Sequence, residues 1–190
     1  MVDLPLQPGT LFVLLTSGDE AENLGLRRRQ EELRALTGGK PIEPVHLTCQ
    51  KFTLPDESQL PGFVSGLKSA LLPVRPFPVT ATSVTPLYST FRGGEILKWQ
   101  IAPVEMLPRA CGLIEDVVRA WHGTSLYDPG WSPTLVTALQ ETHTGPLNGQ
   151  LRKLNFPYLL FTANRVLITR LAASEEFETL AEFPFPNQTK

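Results

Sequence analysis

Two short segments of this chain invite a chemical reading because they line up with each other. Pro44-Val45-His46-Leu47-Thr48-Cys49 and Pro133-Thr134-Leu135-Val136-Thr137-Ala138 share a proline, an apolar residue before threonine, and a small residue after it. In a strand, residues i and i+2 point to one face, so His46 and Thr48 project together, as do Leu135 and Thr137. Two such strands facing each other with His-x-Thr would set two imidazoles on either side of a phosphodiester. One would take a proton from the attacking water and the other would protonate the leaving oxygen. The two hydroxyls would donate to non-bridging phosphate oxygens, and the scheme needs no metal. Here the second imidazole position is Leu135, which carries no exchangeable proton. A register shifted by one would put Thr134 and Val136 at the two positions instead; the aligned proline and Thr137 favour Leu135.

Other candidates are weighed against plainer roles. A lone histidine at a strand start is more often a hydrogen-bonded structural residue than a catalyst. His143 lies eight positions beyond Leu135, about 26 Å along an extended strand, and reaches the groove only through a folded-back loop. His122 falls at a helix end, where capping or the helix dipole explains it. Either could stand in for the missing histidine. Lys51 is an odd number of positions from His46, so a regular strand turns it to the opposite face. Arg152 and Lys153 follow the second segment and could reach a phosphate, with solvation as the alternative. Tyr88 and Phe91 flank a turn and could stack on a base, with core packing as the default. The three histidines and two cysteines have no zinc spacing. Gly39-Lys40 is followed by proline and lacks the upstream glycine of a phosphate loop, and there is no nucleophile elbow or dinucleotide fingerprint. No metal and no cofactor are expected.

The 190 residues are 42% hydrophobic and 19% charged, which is globular composition, and 17 basic against 19 acidic residues give a net charge of −2. That excludes a global footprint for duplex nucleic acid, although a local basic cleft is compatible with it. Cys49 and Cys111 sit in apolar surroundings and read as buried free thiols in a reducing compartment. No stretch approaches the roughly 20 apolar residues that span a bilayer, and the first residues lack a basic leader. A cytoplasmic protein with no membrane segment is the expectation.

The elements that must position these residues follow from periodicity. Leu11–Thr16 reads as a buried strand. Asp19 caps the next helix with Glu22 at the capping-box position, the arginines 27, 28, 29 and 34 form a solvated face, and Gly38-Gly39 ends it. A strand over Pro44–Phe52 precedes an amphipathic helix over Leu60–Leu71. Strands at Phe77–Leu87 and Phe91–Ile101 follow. Pro108 suits the first turn of a third helix whose core face is Leu113, Ile114, Val117, Val118 and Trp121. After a Gly/Pro-rich loop, Ser132–Gln140 forms a strand, and two closing strands lie near Tyr158–Leu171 and Phe177–Phe185. The order β-α-β-α-β-β-α-β-β-β argues for an α/β or α+β sandwich.

A His-x-Thr strand after an opening strand and helix, and a second such strand about 90 residues later, resemble the 2H phosphoesterase superfamily. These are the proteins related to 2′-5′ RNA ligases and RNA 2′,3′-cyclic phosphodiesterases. The likeness covers nearly the whole chain, including Pro76-Phe77, the Gly93-Gly94 hairpin and the ending Val166–Leu171 with Phe177–Phe185. It implies an α+β fold of two lobes: pseudo-symmetric antiparallel sheets with helices packed outside and a central cleft. Residues 1–190 would form one domain of two interwoven lobes. The resemblance makes His46 a catalytic histidine and Thr48 and Thr137 phosphate-binding threonines, with Leu135 in the second histidine's place. The partner it implies is RNA or a nucleotide with a 2′,3′-cyclic or 2′-5′ phosphodiester. The activity would be a metal-independent phosphodiesterase, impaired by the departure at Leu135. The alternative is a non-catalytic module on the same fold, binding a nucleotide, an RNA end or a protein.

Overall fold

A computed structural model of the chain describes residues 9–89, 93–143, 151, 154–172 and 177–186. Leu11–Thr16 forms β1, Glu20–Thr37 α1, Lys40–Pro41 β2 and Leu47–Thr53 β3. A 3-10 turn at Glu57–Gln59 leads into α2 (Leu60–Ala70), β4 (Phe77–Ser89) and β5 (Gly94–Ile101). Met106–Ala120 is α3, Thr124–Ser125 β6 and Leu135–Gln140 β7. The chain closes with β8 (Tyr158–Ala163), β9 (Arg165–Leu171) and β10 (Phe177–Pro184).

The described strands form two five-stranded sheets, ordered β10-β9-β1-β3-β6 and β2-β7-β5-β4-β8, and every pairing within them is antiparallel. The orders correspond when each sheet is read from its two-residue edge strand. β6 matches β2, and the motif strand β3 matches β7; behind them β1 matches β5, β9 matches β4 and β10 matches β8. The architecture is therefore the α+β, two-lobed, pseudo-symmetric one expected. α1 packs on β8, β2 and β7, whereas α3 packs on β3 and β6 with α2 against it. The helices cover the outer sheet faces, which leaves the inner faces to form a cleft.

Alternation explains which residues go outward to the helices. Val13 and Leu15 of β1, Leu97 and Trp99 of β5, and Leu47 and Val136 of the motif strands all lie in one continuous core. Each such buried aliphatic or aromatic side chain contributes about 1.5–3 kcal/mol. Trp99 is fully buried, and its indole N–H donates to the Tyr158 hydroxyl at 2.6 Å, so the polar edge is satisfied. Trp121 lies across α2, where a Cβ on Gly62 would collide with its ring and one on Gly66 would come to 3.0 Å. Two glycines one turn apart thus give α3 its seat.

Several local expectations change. Glu22 does not close a capping box. Asp19 caps α1 by accepting from the Ala21 and Glu22 backbones, while the Glu22 carboxylate accepts from Ser17 Oγ, Thr162 N and Thr162 Oγ1 at 2.6–2.8 Å. A long-range pair of bonds to β8 outcompetes the local one. Tyr158–Leu171 is two strands in different sheets. At Asn164 the chain crosses over, held by Asn164 N to Thr16 O, Gly18 N to Asn164 Oδ1 and Phe185 N to Asn164 O. α3 begins at Met106, which keeps Pro108 in its first turn as expected, but its face shifts. Its buried face is Leu107, Ala110, Cys111, Ile114, Val117 and Val118, with Leu113 and Trp121 only partly covered. β3 starts at Leu47, three residues after Pro44. β2 and β6 are too short to leave a periodic signal.

Candidate functional site

Each motif strand is interrupted at the same place. In the β1–β3 pair Val13 faces Gln50 and Leu14 faces Thr48, which leaves Cys49 as an extra residue. In the β5–β7 pair Leu97 faces Leu139 and Lys98 faces Thr137, which leaves Ala138 extra. These are β-bulges immediately after the two threonines, at the two positions matched in the sequence. The internal likeness thus extends to backbone geometry. Val136 is 0% exposed, like Leu47, whereas Thr134, Leu135 and Thr137 line the cleft.

The cleft between the sheets has a volume of about 590 Å³ and is lined by His46, Thr48, Leu135 and Thr137 together. His46 lies just ahead of β3 and is half-buried. Its Nδ1 is 2.6 Å from the Pro44 carbonyl. A carbonyl only accepts, so Nδ1 donates a hydrogen bond to it. The ring also meets Phe177 of β10 edge-on at 5.3 Å. The Pro44 carbonyl and the Phe177 ring together fix the orientation of the imidazole.

The bulge overturns the expectation for Lys51. Parity in a regular strand sends it away from His46, but the extra residue resets the alternation after Thr48. Cys49 and Gln50 are both buried, and Lys51 returns to the cleft wall. Its ammonium stands 5.4 Å from the centroid of Tyr127. Tyr127 stacks on Trp131 at 4.5 Å with 28° between the rings, and both line the cleft. The loop presenting them is fastened by Leu126 N to Lys51 O at 2.8 Å and by the Ser125 hydroxyl, which bridges Gln50 and Tyr127. A paired aromatic surface beside an ammonium suits a nucleobase and its phosphate.

Sequence reasoning passed over three of these groups. Lys98 of β5 faces the cleft directly across from Thr137; the alternation Ile96-Lys98-Gln100 put it on one strand face, but only the strand register says which. Tyr127 and Trp131 sit in a loop whose glycines and prolines dominated its reading. Tyr88 lies at the cleft mouth and is 70% exposed, so it is not a core residue. Phe91, Arg152 and Lys153 fall outside the described residues. His122 is not among the cleft-lining residues and takes a left-handed conformation, φ 54°, after α3. His122 N donates to Arg119 O and Gly123 N to Val118 O, a Schellman closure. His143 is exposed, with its backbone N–H on Thr37 O, and is also away from the cleft lining. Neither histidine stands opposite His46.

Cys49 and Cys111 are both buried thiols. Burial, first, and the adjacent Cys111 push the Cys49 thiol well above its usual range. It is a packed residue under the bulge and not a nucleophile. Among the described residues no three His, Cys, Asp or Glu side chains gather as a metal site, and no helix is long and apolar enough to cross a membrane.

No protein-family model matches this chain, and neither does any curated protein sequence. Solved structures do resemble it. TT0787 of Thermus thermophilus is 20% identical, with 95% of this chain and 100% of that one covered at a TM-score of 0.58. A protein described as a phosphoesterase is 13% identical, with 94% and 99% covered at 0.58. E. coli LigT complexed with 3′-AMP is 13% identical, with 95% and 99% covered at 0.56.

Proposed function

We propose that this chain, which has the two-sheet fold of the 2H phosphoesterases, holds the phosphate of a ribonucleotide between Thr48 and Thr137. The observation that carries this reading is the equivalence of the two threonines: each precedes a bulge on a matching strand, and both line one cleft. LigT, with a similar fold, is known in complex with 3′-AMP. The substrate class is a 2′,3′-cyclic or 2′-5′-linked ribonucleotide phosphodiester. His46 supplies one proton transfer through Nε2, and the threonine hydroxyls stabilise the charge on non-bridging oxygens. Leu135 can neither accept nor donate a proton, so the second transfer is left to water and turnover is slow. The same leucine favours a second reading, a module that binds a nucleotide, an RNA end or a protein without turning substrate over.

Restoring the missing group tests this directly. Hydrolysis of 2′,3′-cyclic AMP by the natural protein should be slow, and Leu135→His should raise it by about 10²–10⁴-fold, the usual worth of one acid–base group. Leu135→Gln should give no such gain, and His46→Ala in the restored background should abolish it. An imidazole without a partner in this niche costs about 1–3 kcal/mol, so circular dichroism should accompany the rates. Efficient turnover by the natural protein, lost on His122→Ala or His143→Ala, would overturn the assignment. A well-folded Leu135→His protein with no gain favours the binding module.

A further inference from the structure

The inner face of the second sheet runs on beyond the cleft. β5 sets Ile96, Lys98 and Gln100 on one face by alternation. The first two line the cleft, and the third lines a second hollow of about 770 Å³. β7 and its approach repeat the pattern: Leu135 and Thr137 line the cleft alone, whereas Pro133 and Thr134 line both hollows. Thr134 is thus the ridge between them, three residues from Thr137, or about 10 Å of strand. The ridge is fastened. The Thr134 carbonyl accepts from Ile101 N at 3.0 Å and from the Gln100 side-chain amide at 3.1 Å. The hollow is therefore preformed in the free chain.

The chemistry of this hollow points away from a phosphate. It is lined by the buried side chains of Ile101 and Leu107, with Pro103 and Val104 beside them. Among its described lining residues there is no lysine, arginine or histidine, and one carboxylate, Glu105, stands ahead of α3 without capping it. An anionic group placed there would meet a carboxylate and no cation, and an unpaired charge is costly to desolvate. A planar, uncharged heterocycle suits the same walls. Its face would cover aliphatic carbon, while its edge could pair with the Gln100 amide, the Ser132 hydroxyl and the Glu105 carboxylate.

We propose that this hollow is a second nucleoside subsite, so that the chain takes a ligand of at least two nucleotides with the bridging phosphate in the cleft. This rests on the reading that Thr48 and Thr137 hold a ribonucleotide phosphate. One nucleoside stays in the cleft. The other crosses Thr134 and packs its base against Ile101 and Val104. A mononucleotide leaves the hollow empty, so affinity rises when the second nucleoside is added.

Calorimetric titration of the full chain with 2′-5′ ApA and with adenosine 2′-(methyl phosphate) tests it. Both ligands carry one phosphodiester charge, and only the first has a second nucleoside. ApA should bind about tenfold or more tightly, the worth of covering roughly 55 Å² of apolar surface. Val104→Asp, which puts a charge in the apolar lining, and Ser132→Tyr, which fills the hollow, should each remove most of that gain. Neither should change the affinity for the methyl ester, and circular dichroism checks that both stay folded. In the natural protein, ApA and not the methyl ester should shift the NMR resonances of the Gln100 side-chain amide. Equal affinity for the two ligands, an unchanged gain in either folded variant, or an unshifted Gln100 amide overturns the inference and leaves the phosphate reading standing. Absence of binding by both ligands overturns both.

Discussion

The two halves of the cleft share a backbone and differ in chemistry. In one, His46 stands at the motif position and the residue across from Thr48 is Leu14, which is buried in a small apolar cluster with Phe12 and Leu167. In the other, Leu135 stands at the motif position and the residue across from Thr137 is Lys98. The ionisable side chain and the apolar one have exchanged places between the lobes, while threonine and bulge stay where they are. A strand register can hold a threonine hydroxyl in place whatever its neighbours do. Proton transfer needs particular side chains at particular positions, and the second half lacks one.

The halves also differ in how the bulge is fastened. Buried Gln50 accepts from Lys51 N and from Ser125 Oγ, both at 3.0 Å, so β3 is tied to the loop carrying Tyr127. On the other side Gln30 of α1 donates to the carbonyls of Ile42 and of the bulged Ala138, at 3.0 and 2.9 Å. The Gln30 bonds are wholly buried, and Gln30→Leu would strand two carbonyls. It should destabilise the protein by about 1–3 kcal/mol, with Gln50→Leu at or below the lower end because water can reach Ser125. Urea denaturation measures both. If Gln30→Leu is neutral, the bulges persist without their glutamines and the comparison loses its energetic basis.

A smaller effect separates the bulged residues themselves, Cys49 and Ala138. The folded Cys49 thiol is held above its ordinary range by burial and then by Cys111, whereas the unfolded thiol titrates near about 8.5. A raised folded value means the folded state keeps a proton that the unfolded state gives up. Stability is therefore full below the unfolded value and falls as pH rises above it, by at most about 1.4 kcal/mol per pH unit for this thiol. Thermal unfolding from pH 7 to 10 should show that decline, and Cys49→Ala should flatten it. Identical slopes in the two proteins would mean the burial of Cys49 does not control the decline.

The pairing of the motif strands was legible because it rests on side chains that repeat: proline, threonine, a small residue, and apolar positions at intervals of two. Lys51 was misjudged because parity counts hold only in regular strands, and the bulge that reverses the count is a two-strand event with no local signature. Lys98 went unseen for a related reason. Its face could be read from Ile96 and Gln100, but its position across from Thr137 is a property of register. Glu22 looked like a capping residue because the sequence displays only its helical neighbours, and the stronger partner, Thr162, is 140 positions away. The split of Tyr158–Leu171 at Asn164 was hidden because both strands are apolar on either side of a single residue.

The central claim is that one phosphate is held from both lobes at once, and calorimetry of the threonine variants tests it most directly. Thr48→Val and Thr137→Val, singly and together, remove one hydroxyl each without changing side-chain shape. Titrated with a 2′-phosphorylated nucleotide, each single variant should weaken binding by about 1.5–3 kcal/mol, the worth of a hydrogen bond to a charged group. The double variant should weaken it further without unfolding the protein. Affinity unchanged in the double variant, or sensitive to only one of the two threonines, would contradict the account.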